Sequence, residues 1–277
     1  MSSLLNEPVV SDFVAEDTHC STSKPIVKIY GERNTGTNYL SALLDLNFRC
    51  RQLPGFVPKA VMGLQLLLPG REGVRDYWFE KTFSRNLGWK HMQVEAAERL
   101  QGIASFSAAL HFLTLTKNPY SWLLSMHRRP YHQHHKTSLS LEEFLVTPWQ
   151  LAGRDNVSEP VSNPIELWNI KNRSYERLAS RFPVLQLTYE AVLCNPLETL
   201  QQIEDTFQLQ RLNSDLKNYE RSTKDSDRDA AYYRDHYLKE RWRSKLSRTA
   251  VATINQHLDA ELVQQFGYSL LDEMDFE

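Results

Sequence analysis

Cysteine is scarce. The 277 residues contain three (Cys20, Cys50 and Cys194), odd in number and in no CxxC or Cys/His ligand spacing. That excludes a disulfide framework and a structural zinc site, and it suits a reducing compartment. Long apolar runs are missing as well: the longest, Leu64 to Leu68 with a Gln inside it, falls far short of the roughly 20 residues a membrane helix needs. The first twenty residues lack a basic stretch followed by an apolar one. The expectation is therefore a soluble, cytoplasmic protein with no membrane partner. Net charge is nearly absent too, with 32 Lys and Arg against 34 Asp and Glu, so overall electrostatics offers no case for nucleic acid as a partner. An anion, if bound, must be held by a local cluster. No internal repeat or low-complexity tract shows. A chain this long buries roughly three quarters of its unfolded surface and needs no staple for a core; its length allows two units or one domain with excursions, and the expectation is one domain over 25–277 behind a flexible polar arm, 1–24.

What is present is an alternation of short β-rich runs with helical patterns, the mark of crossover units and a mostly parallel sheet. Strands are expected at Pro25–Tyr30, Asn86–Met92, His111–Thr116 and Pro183–Tyr189. A helix is expected to start near Gly36 or Thr37, and others to open at Pro119, Pro164 and Pro196, where a missing N–H costs nothing. Two excursions, about 53–83 and 131–163, are richer in Gly, Pro and polar residues and belong over the carboxyl ends of the strands, where such sheets bind ligands. After Asp215 the chain turns highly charged, a composition that suits a solvated loop leading into a helix.

Strand, Gly31-Glu32-Arg33-Asn34-Thr35-Gly36-Thr37-Asn38, helix is the sharpest signal. Two glycines five apart let successive backbone N–H groups turn inward and leave a positive helix start facing a phosphate. The spacing is that of GxxxxGK[ST], but Thr37 stands where the phosphate lysine belongs and Asn38 where the Mg²⁺-binding hydroxyl belongs. Phosphoryl transfer from a nucleoside triphosphate would lose its main charge compensation.

GERNTGTNYL after a strand resembles the 5′-phosphosulfate loop of sulfotransferases, and Lys117-Asn118-Pro119-Tyr120-Ser121-Trp122-Leu123-Leu124-Ser125 resembles their 3′-phosphate motif, in which a basic residue and a serine eight positions later hold the 3′-phosphate of PAPS. Thr188-Tyr189-Glu190 followed by Asn195-Pro196 is similar to a third family segment, whose Tyr lies near the adenine. The resemblance spans about 25 to 210. It implies a P-loop-like, three-layer α/β fold with about five strands, PAPS as sulfuryl donor, PAP as product and no metal. It assigns donor binding to Arg33, Asn34, Thr35, Gly36, Thr37, Asn38, Tyr39, Lys117, Ser125 and Tyr189, with Tyr39 stacking on adenine. The chain departs from the pattern at Asn34, where the loop cation is displaced to Arg33, and at Lys117, where Arg is usual and bidentate binding is given up. The family's C-terminal Arg-Lys-Gly loop has no match; Arg221, Lys224 and Arg228 are its candidates.

Sulfuryl transfer needs a base to take the acceptor proton, and histidine titrates in the right range. Leu87-Gly88-Trp89-Lys90-His91 is similar to the family strand whose Lys and His reach the transfer site. This nominates His91 as base, Lys90 as electrostatic stabiliser with Arg33, and Glu32, Glu80 or Glu95 as substitutes. His127-Arg128-Arg129-Pro130-Tyr131-His132-Gln133-His134-His135 tempts a metal assignment, but Pro130 breaks the helix and no carboxylate or Cys completes a ligand spacing. The stretch is either an exposed loop or the mouth of the acceptor pocket. The expected acceptor is a hydroxyl or amine/carbamoyl nitrogen of a small soluble metabolite, as in the bacterial saxitoxin-pathway sulfotransferases of secondary metabolism. The rivals are a metal-dependent nucleotide kinase or NTPase and a non-catalytic PAP-binding protein. Oligomeric state is not legible.

Overall fold

The structure is a computed structural model that describes residues 24–67, 71–94, 100, 109–131, 138–219 and 228–277. The arm through residue 23, with Cys20, and also Glu95, His132, His134, His135, Arg221 and Lys224, lie outside the described residues. The branched and aromatic run after Pro25 forms β1 (Ile26–Tyr30), and the loop beyond it feeds α1 (Thr37–Asn47). A short β2 (Arg51–Gln52) follows, then the first excursion with α2 (Lys59–Leu67), α3 (Arg71–Lys81) and α4 (Phe83–Asn86). The centre of the chain holds β3 (Leu110–Thr116), α5 (Pro119–Arg128), α6 (Leu141–Val146) and α7 (Pro164–Ala179). After β4 (Val184–Thr188) come α8 (Tyr189–Cys194), α9 (Pro196–Phe207), α10 (Ala230–Leu238), α11 (Arg248–His257) and α12 (Ala260–Gln265).

Three helix starts share one device. Asn118, Asn163 and Asn195 each precede a proline and accept backbone N–H bonds through their side chains, at Tyr120 and Ser121, at Glu166 and at Glu198 respectively. The cap satisfies donors that a helix start leaves orphaned, and proline removes one of them outright.

All pairings within the described sheet are parallel, in the order β2-β1-β3-β4. Alternation of side chains then sorts the two faces. Val27, Ile29, Leu113, Leu115 and Leu187 pack with Leu40, Leu43 and Leu44 of α1 and with Leu200, Ile203 and Phe207 of α9. On the opposite face Tyr30 and Phe112 meet Tyr175 and Leu178 of α7. Helices thus cover both faces, and each fully buried Leu or Phe contributes about 1.5–3 kcal/mol. Among the described residues no helix is long and apolar enough to cross a membrane.

The sheet has four strands among the described residues where about five were expected, and Asn86–Met92 is a correction. This segment is not a strand: α4 ends at Asn86, and Leu87 (φ 57°) and Gly88 (φ 80°) both take the left-handed conformation. The cause lies in β1. Lys28 and Tyr30, two apart on one face, reach the turn together: the Lys28 ammonium donates to the carbonyls of Asn86 (2.6 Å), Gly88 (2.6 Å) and Pro54 (3.1 Å), and the Tyr30 hydroxyl to that of Leu87 (2.7 Å). Burial, then Lys90, push the Lys28 pKa down, and three carbonyl acceptors match the three protons of an ammonium. The left-handed turn that these contacts hold at Leu87 and Gly88 is incompatible with extended strand backbone.

Candidate active site

The carboxyl end of β1 turns at Gly31 into a loop whose backbone is held from both sides. Trp122 on α5 donates its indole N–H to the Arg33 carbonyl (2.8 Å), and Thr35 turns its hydroxyl inward onto the Glu32 carbonyl (2.6 Å). Gly36 caps α1 at φ 90°, and an added Cβ there would lie 2.5 Å from the Tyr189 ring. Left-handed backbone and close approach both demand glycine at this position. Asn34, also left-handed at φ 65°, donates its amide to the Ser125 carbonyl (3.2 Å) and accepts from the Tyr131 hydroxyl (2.8 Å). A residue placed for a cation by family pattern is instead the strap between loop and α5.

The β3 end supplies Lys117, its carbonyl held by the Trp168 indole (3.1 Å) and its ammonium 3.0 Å from the Ser125 hydroxyl. The eight-residue spacing works because Ser125 sits two turns into α5 on the side facing the strand end. The Thr188-Tyr189-Glu190 block divides its labour: Thr188 caps α8, Tyr189 packs on Gly36, and Glu190 accepts from the Asn118 backbone N–H (3.1 Å) and the Tyr268 hydroxyl (2.6 Å).

These parts enclose a cavity of about 270 Å³. Asn34, Gly36, Thr37, Asn38, Tyr39, His91, Lys117, Ser125 and Tyr189 all line it, together with Arg128, Arg129 and Tyr131 of the histidine-rich stretch. The Tyr39 hydroxyl donates to Asn218 (2.9 Å), and burial raises its pKa. Thr35 and Arg33 do not line the cavity.

Arg33 is the clearest reassignment. Its guanidinium is buried, paired with Glu32 (3.1 Å) and Asp155 (3.5 Å), while Lys171 from α7 meets Asp155 (3.0 Å) and Glu32 (3.5 Å). Two carboxylates and two cations close a square of zero net charge. Burial alone would push Asp155 up, but Lys171 and Arg33 overcome it and hold its carboxyl well below the usual range. Glu32 is thereby spent on ion pairs instead of serving as a base, and Glu80 is exposed on α3. Trp89 lies between the guanidinium groups of Arg33 (4.5 Å) and Arg154 (4.6 Å), a double cation–π contact.

His91 sits where turn, loop and square meet. Its Nδ1 contacts the Gly31 carbonyl, its own carbonyl accepts from Lys171 (2.6 Å), and its ring stands edge-on to Trp89. A carbonyl is only an acceptor, so Nδ1 carries the proton and Nε2 is left as the basic atom of a neutral ring. Burial, then Lys90, then Arg33 lower the His91 pKa well below its ordinary value. Lys90 stands beside the cavity rather than on its wall, its ammonium bonded to the Asn38 side-chain oxygen and 3.8 Å from the centre of the Phe56 ring.

One wall went unread in the sequence. Ala230, Tyr233, Arg234 and Tyr237 line the cavity from α10 at positions i, i+3, i+4 and i+7, a single helical face. The segment expected to be a solvated approach to a helix is part of the site. The spacing was available in the sequence, but charges on the other faces of the helix hid it. Arg228 lies within cation–π reach of Tyr232 (4.7 Å) and not on the cavity wall.

The donor set suits a nucleotide carrying phosphates at both ends of its ribose: backbone N–H groups at a left-handed glycine and helix start, a lysine with a serine, and tyrosine rings between. No group of three or more metal-ligating side chains occurs among the described residues.

No family profile and no curated protein matches the chain. Among solved structures, a sulfotransferase domain from the curacin biosynthetic pathway is similar to it at 13% identity, covering 90% of this chain and 99% of that one with a TM-score of 0.42. A sulfotransferase from Alicyclobacillus acidocaldarius is similar at 14% identity, covering 90% of this chain and 98% of that one with a TM-score of 0.40.

Proposed function

We propose that the chain is a sulfotransferase that uses PAPS as donor and releases PAP. One observation carries the reading. Lys117 is buried with no carboxylate partner among the described residues, and it lines the same cavity as the Gly36 turn. Burying a charge with few hydrogen-bond acceptors and no opposite charge is costly, and a phosphate against Lys117 would offset that cost.

In the proposed reaction the 3′-phosphate of the donor lies against Lys117 and Ser125, and the 5′-phosphosulfate against the loop and the start of α1. As the acceptor oxygen or nitrogen bonds to sulfur, its proton passes to Nε2 of His91. The bond from sulfur to the 5′-phosphate oxygen breaks, and the charge left on that phosphate meets the Gly36 and Thr37 N–H groups and Lys90. A depressed His91 pKa keeps the ring neutral and able to accept at physiological pH. The resemblance in the sequence suggests a small soluble acceptor of the kind tailored in bacterial secondary metabolism.

PAP without metal at about 100 times its Kd should add about 2.7 kcal/mol of stability, read as a rise in melting temperature. A rise with Mg²⁺ and ATP only would replace the proposal with nucleotide phosphoryl chemistry. His91→Ala should cut transfer by about 10²–10⁴-fold, measured as the mass gain of one sulfuryl group on an acceptor panel, and leave the PAP shift intact. An active His91→Ala protein would remove His91 from the mechanism. A wild-type protein that binds PAP and sulfates nothing across the panel would support the non-catalytic rival.

A further inference from the structure

We infer that Tyr237 is the residue that makes this site demand a 3′-phosphate, its phenol joining Lys117 and Ser125 as a third ligand to that group. The inference rests on the donor reading above and deepens it. Tyr237 projects from α10, outside both phosphate motifs, and is buried against the cavity. The Lys117 ammonium stands 3.9 Å from its ring centre, and the ring meets Tyr189 edge-on at 5.1 Å.

The Lys117 ammonium donates to the Ser125 hydroxyl (3.0 Å) and lies against the Tyr237 ring, and neither group is charged in its ordinary state. Both hydroxyls are rotors: Ser125 accepts from the ammonium and donates to the Ser121 carbonyl (2.9 Å), and each hydroxyl can turn its own O–H toward an arriving phosphate oxygen. Lys117 then keeps the charge pairing while two hydroxyl donors fix the direction, a geometry that lysine alone, a point charge, does not supply. This compensates for the lysine standing where the related motif has a bidentate arginine.

Electrostatics agrees with the placement. Burial would raise the Tyr237 pKa, yet Lys117, hydrogen bonding to Lys117 and Ser125, and Arg128 together bring it below its ordinary value. Tyr268, by contrast, is shifted upward by burial and then by Glu190. A phenol acidified in this way is a better donor to a phosphate dianion.

The experiment is calorimetric titration of the full chain and of Tyr237→Phe with two nucleotides, adenosine 3′,5′-bisphosphate and adenosine 5′-monophosphate. The substitution deletes one oxygen and keeps the ring packing, and circular dichroism verifies the fold. The wild-type protein should prefer the bisphosphate. In Tyr237→Phe the bisphosphate should weaken about tenfold or more, the scale of one hydrogen bond to a charged group, with the monophosphate unchanged, so the preference collapses. An unchanged preference in Tyr237→Phe, or an equal loss for both nucleotides, overturns the inference while leaving the donor reading in place. A wild-type protein that does not distinguish the nucleotides overturns both.

Discussion

Lys117 and Lys171 are buried to the same degree, 1% and 0% exposed, and only one of them is neutralised by protein. Lys171 meets two carboxylates in a square with Arg33, and three oxygens lie within about 3 Å of its ammonium: a side-chain and a backbone oxygen of Asp155 and the His91 carbonyl. Lys117 meets hydroxyls and aromatic faces. The difference separates two uses of a buried cation. A closed square supports its surroundings, here the backbone of His91, and has no charge left for a ligand. A buried cation on a cavity wall, facing neutral groups, keeps its charge for a ligand, which is the basis of the proposed anion site. Arg33 shows why position in a motif does not decide between the two: it lies in the phosphate loop and belongs to the square.

The comparison breaks most visibly at Lys171. Lys171→Met strands Glu32 and Asp155 against a single cation, and removing one member of a buried pair costs about 3–5 kcal/mol. A urea titration should register that loss. Lys117→Met strands no carboxylate, so its stability should stay within about 0.5–1 kcal/mol of wild type while PAP affinity falls about tenfold to a hundredfold. Equal destabilisation by the two substitutions would erase the distinction.

Acid titration sharpens the same contrast. His91 is neutral when folded, its pKa depressed, so unfolded chains take up a proton below about pH 6.5 that folded chains refuse. Its contribution is complete above that pH and is lost on acidification at up to about 1.4 kcal/mol per pH unit. Asp155 adds a second loss at lower pH: its depressed carboxyl stabilises the fold above the ordinary carboxylate range, and the contribution declines as pH falls toward the folded value. His91→Gln should remove the first phase and keep the second; a wild-type and variant difference that stays flat between pH 7 and 5 would contradict the neutral histidine. Gly36→Ala probes the loop itself. The left-handed backbone costs about 1–2 kcal/mol in a residue with a Cβ, and the new methyl must displace the Tyr189 ring, so PAP binding should weaken along with stability.

Much of the architecture was open to reading. Proline punctuation marked three helices, and branched runs marked β1, β3 and β4, because helix starts and side-chain alternation are local. Asn86–Met92 misled because its apolar and aromatic residues suit a strand, while the turn there is imposed by Lys28 and Tyr30 from 58 and 57 residues away in sequence. Lys171 carried a detectable sign. It shares a helical face with Leu167, Trp168, Tyr175 and Leu178, all buried, and a charge on such a face needs a partner. Which partner was invisible, since Asp155 sits in a short helical turn of the second excursion.

By itself the sequence determined a strand-to-helix loop with two glycines five apart and no lysine, the eight-residue spacing of Lys117 and Ser125, and a near-zero net charge. Those are matters of local geometry and counting. Tertiary structure alone decided which cations remain for a ligand. It withdrew Arg33 into the square, placed Asn34 as a strap, set the neutral His91 against Gly31, and brought the face of α10 across to Lys117. Whether a charge is paired depends on contacts between residues distant in the chain, and no local pattern encodes that.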